Sequence, residues 1–397
     1  MSITMYNCGF GDCFCVEDEY VKRPLYVDFG IHRNSLVGNK IARYNVIANE
    51  MMYTKNREQK QCDFLLTHYH EDHYSGIRKM KKKLEFENVY IPDVWEDNIL
   101  LLIVLEILYK RKMKKRGATN ILEVLLAVAN TKGRLYLVSR GSSISTGLIA
   151  LWPATNILEK EAERLLVELD IYRIYEEHLS ELLHITHSLK RRVDMLQKQE
   201  HMQIQTLTNK IPDILSIKEI EELIEQLKFK IQIPLNYDTK VEKFNNEISI
   251  VFQNRKKWCT RNDYKDYCYD GRNCHNCFFR NGTRNLLFTG DVPNDILKKL
   301  STMTDELKMH KQYDIIKIPH HGTEMYFFDF SPYIISGVTK CLIPNEKIKA
   351  GYDIYKDYEN TLQKACVYSS ENDCVIKWIN SGCPRKVIGS NIKEENL

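Results

Sequence analysis

The segment Phe64-Leu-Leu-Thr-His68-Tyr-His70-Glu-Asp72-His73 restricts this chain more than any other stretch. A short apolar run, the pattern of a buried strand, passes directly into three histidines and an aspartate within six residues. His68 and His70 stand two apart, so a strand-end loop can aim both imidazoles at one ion. Asp72 and His73 can then turn toward a second ion nearby. Imidazole and carboxylate suit zinc first, and manganese or iron at the same geometry. Two later segments complete such a set. Asn285-Leu-Leu-Phe-Thr-Gly290-Asp291 is an apolar strand ending in a carboxylate, and Ile315-Ile-Lys-Ile-Pro-His320-His321-Gly322 is another ending in paired histidines.

Composition sets the bounds around this feature. The chain has 397 residues, of which 43% are apolar and 28% charged, an ordinary globular balance that excludes whole-chain disorder or a fibre. A net charge of +4 does not by itself announce a nucleic-acid binder. Twelve cysteines are too sparse for a disulfide scaffold. The start, MSITMYNCGFGDCFC, lacks a basic segment followed by an apolar one, so the cytoplasm and reduced thiols are expected. The longest apolar stretch, Ile99–Tyr109, is interrupted by Glu106. A membrane span needs roughly 20 residues, so this stretch predicts a buried helix and no membrane partner.

Strands are predicted at Ser2–Tyr6, Cys13–Glu17, Leu25–Asp28, Cys62–Thr67, Arg134–Ser139, Leu148–Pro153, Glu247–Gln253, Leu286–Thr289, Ile315–Ile318, Lys340–Pro344 and Cys374–Ile379. Helices are predicted over 95–116 and 119–131. Between about 156 and 233 glycine almost vanishes, and Leu, Glu, Lys and Gln dominate. There Tyr172, Tyr175, Leu179, Leu182, Thr186, Leu189, Val193 and Leu196 step by three and four, as do Ile217, Ile220, Ile224, Leu227 and Ile231. This periodicity predicts an inserted helical hairpin with a coiled-coil-like seam, able to serve a homodimer or a protein partner. The expected organisation is a first half-domain over 1–153, the hairpin over 154–235, a second half-domain over 236–384 and a flexible tail over 385–397.

With these residues in hand, the chain resembles the metallo-β-lactamase-fold hydrolases. His68, His70, Asp72 and His73 match their H-x-H-x-D-H loop, Asp291 their bridging aspartate, and His320/His321 the place of their last histidine. Asn7-Cys-Gly9-Phe-Gly11-Asp12, Val27-Asp28-Phe-Gly30, Asn245-Asn-Glu-Ile-Ser249 and Ile318-Pro-His-His-Gly-Thr323 are similar to the ComEC-like branch, named for a domain of DNA-uptake competence proteins. The resemblance spans about 1–153 and 245–380. It implies an α/β fold, an αββα sandwich carrying the helical insertion, with two divalent metal ions at one edge. His68 and His70 would hold metal one, Asp72 and His73 metal two, and Asp291 would bridge them. His321 is favoured as a ligand of metal two and His320 as a proton donor, with both assignments open. Asp12 and Asp28 are expected behind the ligands, as orienting carboxylates. Two departures stand out. Ala150-Leu-Trp152-Pro153 carries no histidine where many relatives supply one, and Ala350-Gly-Tyr352-Asp replaces a Gly-His-Pro.

Outside the resemblance, Cys259, Cys268, Cys274 and Cys277, within a Cys-rich loop over 258–280, have a spacing that suits an additional structural zinc or simply loop thiols. Arg78-Lys-Met-Lys-Lys-Lys83 and Lys110-Arg-Lys-Met-Lys-Lys-Arg116 are basic runs. In the first, Lys79, Lys81, Lys82 and Lys83 are candidate phosphate contacts. The leading expectation is a metal-dependent phosphodiesterase or nuclease, with a metal-activated hydroxide attacking nucleic acid and Asp72 and His320 in the catalytic set. Its alternatives are a hydrolase of a small phosphodiester, cyclic nucleotide or ester, and a binding or assembly module with a non-catalytic metal site.

Overall fold

The computed structural model describes residues 2–17, 21–32, 35, 39–53, 58–113, 121–198, 203–231, 237–255, 285–345, 354–369, 374–378 and 385–388. The strands among them are β1 (Ser2–Met5), β2 (Phe14–Glu17), β3 (Leu25–Val27), β4 (Asp63–Leu65), β5 (Asn88–Pro92), β6 (Arg134–Val138), β7 (Ser143–Ile144), β8 (Leu148–Trp152), β9 (Val251–Asn254), β10 (Leu286–Phe288), β11 (Ile315–Lys317), β12 (Lys340–Ile343), β13 (Cys366–Ser369), β14 (Cys374–Trp378) and β15 (Arg385–Ile388). They form two mixed sheets. One runs β15-β14-β1-β2-β3-β4-β5-β6 and the other β13-β12-β11-β10-β9-β8-β7.

Period-two alternation decides which side of each strand faces which layer. Met5, Phe14, Leu25, Val27, Leu65 and Tyr90 of the first sheet share one apolar cluster with Leu148, Phe252, Leu286, Phe288, Ile315 and Leu342 of the second. The Phe14 and Phe288 rings meet edge-on across it at 5.3 Å. The intervening residues, such as Cys15, Tyr26, Phe64, Val89, Leu287, Ile316 and Cys341, belong to a second core shared with the helices. The sheets therefore pack face to face, with helices against their outer surfaces. Helix α1 (Lys40–Met52) covers the outer side of β3 and β4. Asn39 caps its N-terminus, and its carbonyls at Glu50 and Met51 receive the Tyr26 hydroxyl and the Cys62 thiol. Neither α1 nor β5 is predicted from the sequence. β5 has five residues, and its pairing with β4 on one side and β6 on the other supplies the partners that hold so short a strand.

Helix α2 (Glu71–Met80) leads away from β4, and α3 (Asp97–Lys112) follows β5. Every residue of α3 from Ile99 to Tyr109 is buried, so it needs cover on all sides. The cover comes from later helices. After α4 (Ile121–Ala129), α5 (Thr155–Glu168) and the single turn α6 (Ile171–Ile174), the chain forms α7 (Leu179–Gln197), α8 (Ile204–Thr208) and α9 (Ile217–Leu227). Helices α5, α7 and α9 pack on α3. The periodic residues Leu182, Leu189, Val193, Leu196, Ile217, Ile220, Ile224 and Leu227 are buried in the same core. The seam expected of a separate hairpin is thus used inside the chain, against a helix that lies before the expected boundary at 153. Two residues of the seam depart from this: Tyr172 is 40% exposed and Leu179 is half-buried.

Arg192 of α7 pins the turn between α8 and α9. It is fully buried and donates to the carbonyls of Thr206, Asn209, Ile214 and Leu215. The helix α10 (Tyr237–Glu247) then precedes β9, so Glu247, expected to open a strand, closes a helix instead. Helices α11 (Asn294–Thr302) and α12 (Lys356–Thr361) complete the set. Arg385–Ile388, expected to be part of a flexible tail, pairs antiparallel with β14. Cys259, Cys268, Cys274 and Cys277, a structural zinc site or loop thiols by expectation, and Tyr352 lie outside the described residues. No helix among the described residues is long and apolar enough to cross a membrane.

Candidate metal centre

Two parallel pairs of strands end at one place: β3 and β4 in the first sheet, β10 and β11 in the second. Chain leaving β4 passes through Thr67 and His68, and His70 occupies the cap position of α2, so Asp72 and His73 fall in its first turn. A helix N-terminus favours a carboxylate there. Asp28 follows β3, Asp291 follows β10, and His320 and His321 follow β11. Asp28, Gly290, His320 and His321 have φ of 58°, 53°, 43° and 57°, left-handed conformations that cost energy in the non-glycine residues. Bonds to neighbours hold them: Thr67 N–H and Oγ1–H both donate to Asp28 at 2.7 Å, and His320 N–H donates to Asp291 Oδ1 at 3.2 Å. The loop carrying Asp12 closes over α2 through Asp12 N–H to Asp72 O at 3.1 Å. Gly30 permits this closure, because a Cβ there would lie 2.1 Å from Asp72 O.

The imidazoles share one orientation rule. His73 Nδ1 faces Asp28 Oδ2 at 2.8 Å, His321 Nδ1 faces Pro344 O at 2.6 Å, and His68 Nδ1 faces Thr67 Oγ1 at 3.1 Å. Carboxylate and carbonyl oxygens only accept, and the Thr67 proton is committed to Asp28, so each Nδ1 carries the hydrogen. Each Nε2 is thereby turned inward, the arrangement that orients histidine ligands toward a metal. His68 Nε2 lies 3.0 Å from His70 Nδ1 and 4.0 Å from Asp291 Oδ2. His73 Nε2 lies 3.2 Å from Asp291 Oδ2 and 3.9 Å from Asp72 Oδ2. His321 Nε2 lies 3.3 Å from the same Asp72 oxygen. Nitrogen and carboxylate donors thus converge on one small volume, the donor set that a divalent transition metal requires.

His68, His73 and Asp291 form one group of mutually close ligand atoms, and Asp12, His73 and His321 another. Asp12 is better read as standing behind the ligands. Its oxygens approach the Nδ1 edges of His321 and His73, at 3.6 and 3.9 Å, and those edges already donate to Pro344 and Asp28. Both Asp12 oxygens are otherwise without a hydrogen bond, although Lys317 Nζ forms an ion pair with Oδ2 at 2.8 Å.

Charge in the centre is strongly biased. Burial would lower the pKa of His73, yet Asp291, Asp28, Asp72 and Asp12 around it raise it well above the ordinary value. His321 is raised in the same way, chiefly by Asp72 and Asp12 against burial. Burial would raise Asp72, but His73 and His321 hold it well below the carboxylate range; Lys317 and His73 do the same for Asp291. Asp28 is raised by burial. His68 is pushed down by burial and by His73 and His70. Burial, helped by the Lys110 charge, pushes His70 down to about 3, and burial pushes His320 down to about 4. The surrounding carboxylates thus favour positive charge at His73 and His321.

His68, His73, Asp291 and His321 are 0–1% exposed, whereas the Asp72 side chain is 17% exposed and His70 and His320 are half-buried. The last three form the open side. His320 does not turn its ring into the cluster. It stacks on Tyr326 at 3.9 Å, and its Nδ1 meets Thr323 Oγ1 at 2.8 Å. Asn246 holds that tyrosine through its hydroxyl.

The lysines expected to contact phosphate are not at the centre. Asp72 is in the first turn of α2, while Lys79 is near its end and Lys81–Lys83 follow it. Ten residues at about 1.5 Å each separate the two ends by roughly 15 Å. Arg78 is paired with Glu71 and Glu123, and Lys83 reaches Asn45. Of the second run, the residues on α3 are spent internally: Lys110 pairs with Glu106, Arg111 with Glu225 and Glu221, and Lys112 with Ile231 O. Among the described residues, no histidine replaces the one lacking near Ala150; Ala150 faces the core between the sheets, and Trp152 donates to Glu247 O. Sequence reasoning missed Lys317. The signal was present, a single cation inside the apolar run Ile315–Ile318, where a central strand offers an ammonium no water. No family model matches the chain, and no curated protein matches it.

Proposed function

We propose that the chain is a metal-dependent phosphodiesterase of the metallo-β-lactamase type, acting through two divalent ions. The observation that carries this reading is the convergence of His68 Nε2, His70 Nδ1, Asp72 Oδ2, His73 Nε2, Asp291 Oδ2 and His321 Nε2 from three strand ends far apart in sequence. Divalent ions held by those atoms acidify water and neutralise charge developing on a phosphoryl group. His68 and His70 serve one ion, Asp72, His73 and His321 the other, and Asp291 both. Zinc fits the donor set best, ahead of manganese or iron. Asp28, Thr67 and Pro344 O keep the histidine ligands in the tautomer that presents Nε2.

The open side supplies the remaining chemistry. His320 donates Nδ1–H to Thr323 Oγ1, whose own proton goes to His320 O at 3.1 Å. A neutral His320 therefore has Nε2 as an acceptor. That revises the acid role expected from sequence: His320 accepts a proton or a hydrogen bond from a group at the mouth. Because Arg78, Lys110 and Arg111 are paired with carboxylates of this chain, nucleic acid is one arm of the test beside a compact phosphodiester.

The full chain, analysed for metal, is incubated with single- and double-stranded DNA, RNA and bis-p-nitrophenyl phosphate, beside Asp72→Ala. Turnover of a phosphodiester by the loaded protein, falling to background in Asp72→Ala, is expected. Cleavage of carboxylic esters alone would overturn the phosphodiester assignment. Bound metal with no turnover of any substrate would favour a binding module instead.

A further inference from the structure

Nothing in the proposed chemistry uses Lys317, a cation that β11 carries into the back of the centre. Its side chain is 1% exposed. The ammonium lies 2.8 Å from Asp12 Oδ2 and 2.9 Å from Asp291 Oδ1, and it donates to Gly290 O at 2.8 Å. Two hydrogen bonds, to Asp291 Oδ1 and Gly290 O, and the ion pair with Asp12 thus surround the ammonium. Burying an ion pair gains little stability over apolar side chains of the same volume, because desolvation of both charges offsets their attraction. Stability alone is therefore a weak reason for a lysine here.

Its geometric effect is specific. Asp291 Oδ1 receives Lys317 Nζ and also the His320 N–H at 3.2 Å, so donors occupy that oxygen. Asp291 Oδ2 is left facing His73 Nε2 at 3.2 Å and His68 Nε2 at 4.0 Å. Asp12 anchors the ammonium from the opposite side, on the loop that is itself bonded to Asp72 O. We propose that Lys317 is a positioning residue of the metal centre, locking the Asp291 carboxylate so that one oxygen, Oδ2, is offered to two ions. Without the clamp, only the longer His320 N–H bond restrains Asp291 Oδ1, and the carboxylate would turn more easily to give both oxygens to a single ion. This inference rests on reading the centre as dinuclear, and it is independent of what substrate is cleaved.

The test compares the full-length wild type with Lys317→Met and Lys317→Gln, each loaded with Zn²⁺ or Co²⁺. Metal content is read after dialysis, affinity by competition with a chromophoric chelator, and ligand geometry from the Co²⁺ absorption spectrum. Urea unfolding of the metal-free forms serves as the folding control. The wild type is expected to hold two ions. Lys317→Met is expected to lose one, or to bind it about 10- to 100-fold more weakly, the usual cost of removing a group that orients a ligand. Lys317→Gln keeps a donor for Asp291 and is expected to fall between the two. If Lys317→Met does not fold, Lys317→Gln decides. A folded variant with wild-type stoichiometry, affinity and Co²⁺ spectrum would mean that Lys317 only neutralises carboxylates, and overturns the inference. One ion or none in the wild type overturns both this inference and the dinuclear reading. Two ions without hydrolysis would remove only the hydrolase reading and leave the positioning role standing.

Discussion

Arg192 and Lys317 are both cations with almost no exposed surface, one among the helices and one behind the strand ends. Their partners differ in kind. Arg192 gives its hydrogen bonds to four backbone carbonyls between Thr206 and Leu215, close to it in sequence. Lys317 meets two carboxylates, from the β1–β2 loop and the end of β10. Backbone carbonyls are neutral and committed, so the arginine completes a turn and leaves nothing over. Carboxylates keep a charge and a second oxygen, and around Lys317 those oxygens face imidazole nitrogens. Burial of charge therefore says little about chemistry until the partners are identified.

The largest effect that sharpens this contrast is expected at Arg192. Arg192→Met preserves most of the side-chain volume but leaves the four carbonyls without their donor. A loss of at least about 3 kcal/mol is expected, because each buried carbonyl left without its donor costs about 1–3 kcal/mol, measured by urea unfolding. Metal affinity of the folded variant should stay at the wild-type level. If it falls as well, the two regions act as one unit and the contrast fails.

A smaller and opposite signature is expected at Asp28. Asp28→Asn weakens the hold on His73 Nδ1, so metal affinity should fall about 10- to 100-fold, read by chelator competition, with a modest change in melting temperature. Unchanged affinity would show that His73 needs no orienting carboxylate.

The mildest effect is a pH dependence confined to the metal centre. The raised folded values of His73 and His321 give stability that is full below the unfolded histidine value of about 6.5 and is lost as pH rises through the folded ones. The depressed Asp72 and Asp291 act the other way. Their contribution is present above the unfolded value of about 3.9 and is lost as pH falls through the folded ones. Metal-free protein should therefore melt progressively earlier as pH rises above about 6.5, while metal-loaded protein should not, because the ion replaces the imidazole protons. Calorimetry in buffers of different ionisation enthalpy should detect protons released on metal binding. An identical pH profile with and without metal would refute this account.

Much of the centre is legible along the chain, since each ligand segment is local. An apolar run followed by His68, His70, Asp72 and His73, by Asp291 or by the His320–His321 pair marks a strand end carrying donors. The helical stripes of α7 and α9 are equally plain as periodicity. Their destination is not, because a stripe shows that a face must be covered and not by what. Only the all-buried α3, with no polar face of its own, explains why those stripes turn inward. The basic runs mislead for a related reason. Adjacent cations read as one patch, yet α2 carries its lysines to the far end from Asp72, and Glu106, Glu221 and Glu225 take up those at the end of α3.

Composition, periodicity and ligand spacing determined that this chain would form buried strands whose ends carry a metal-type donor set. Those signals are local, written in neighbouring residues. The tertiary structure decided which nitrogen of each histidine faces inward, that Asp12 stands behind the ligands, that His321 joins the cluster while His320 stacks on Tyr326, and that Lys317 clamps Asp291. Apart from the local contacts of His68 and His320, these depend on partners from distant segments, and no spacing along the chain encodes them.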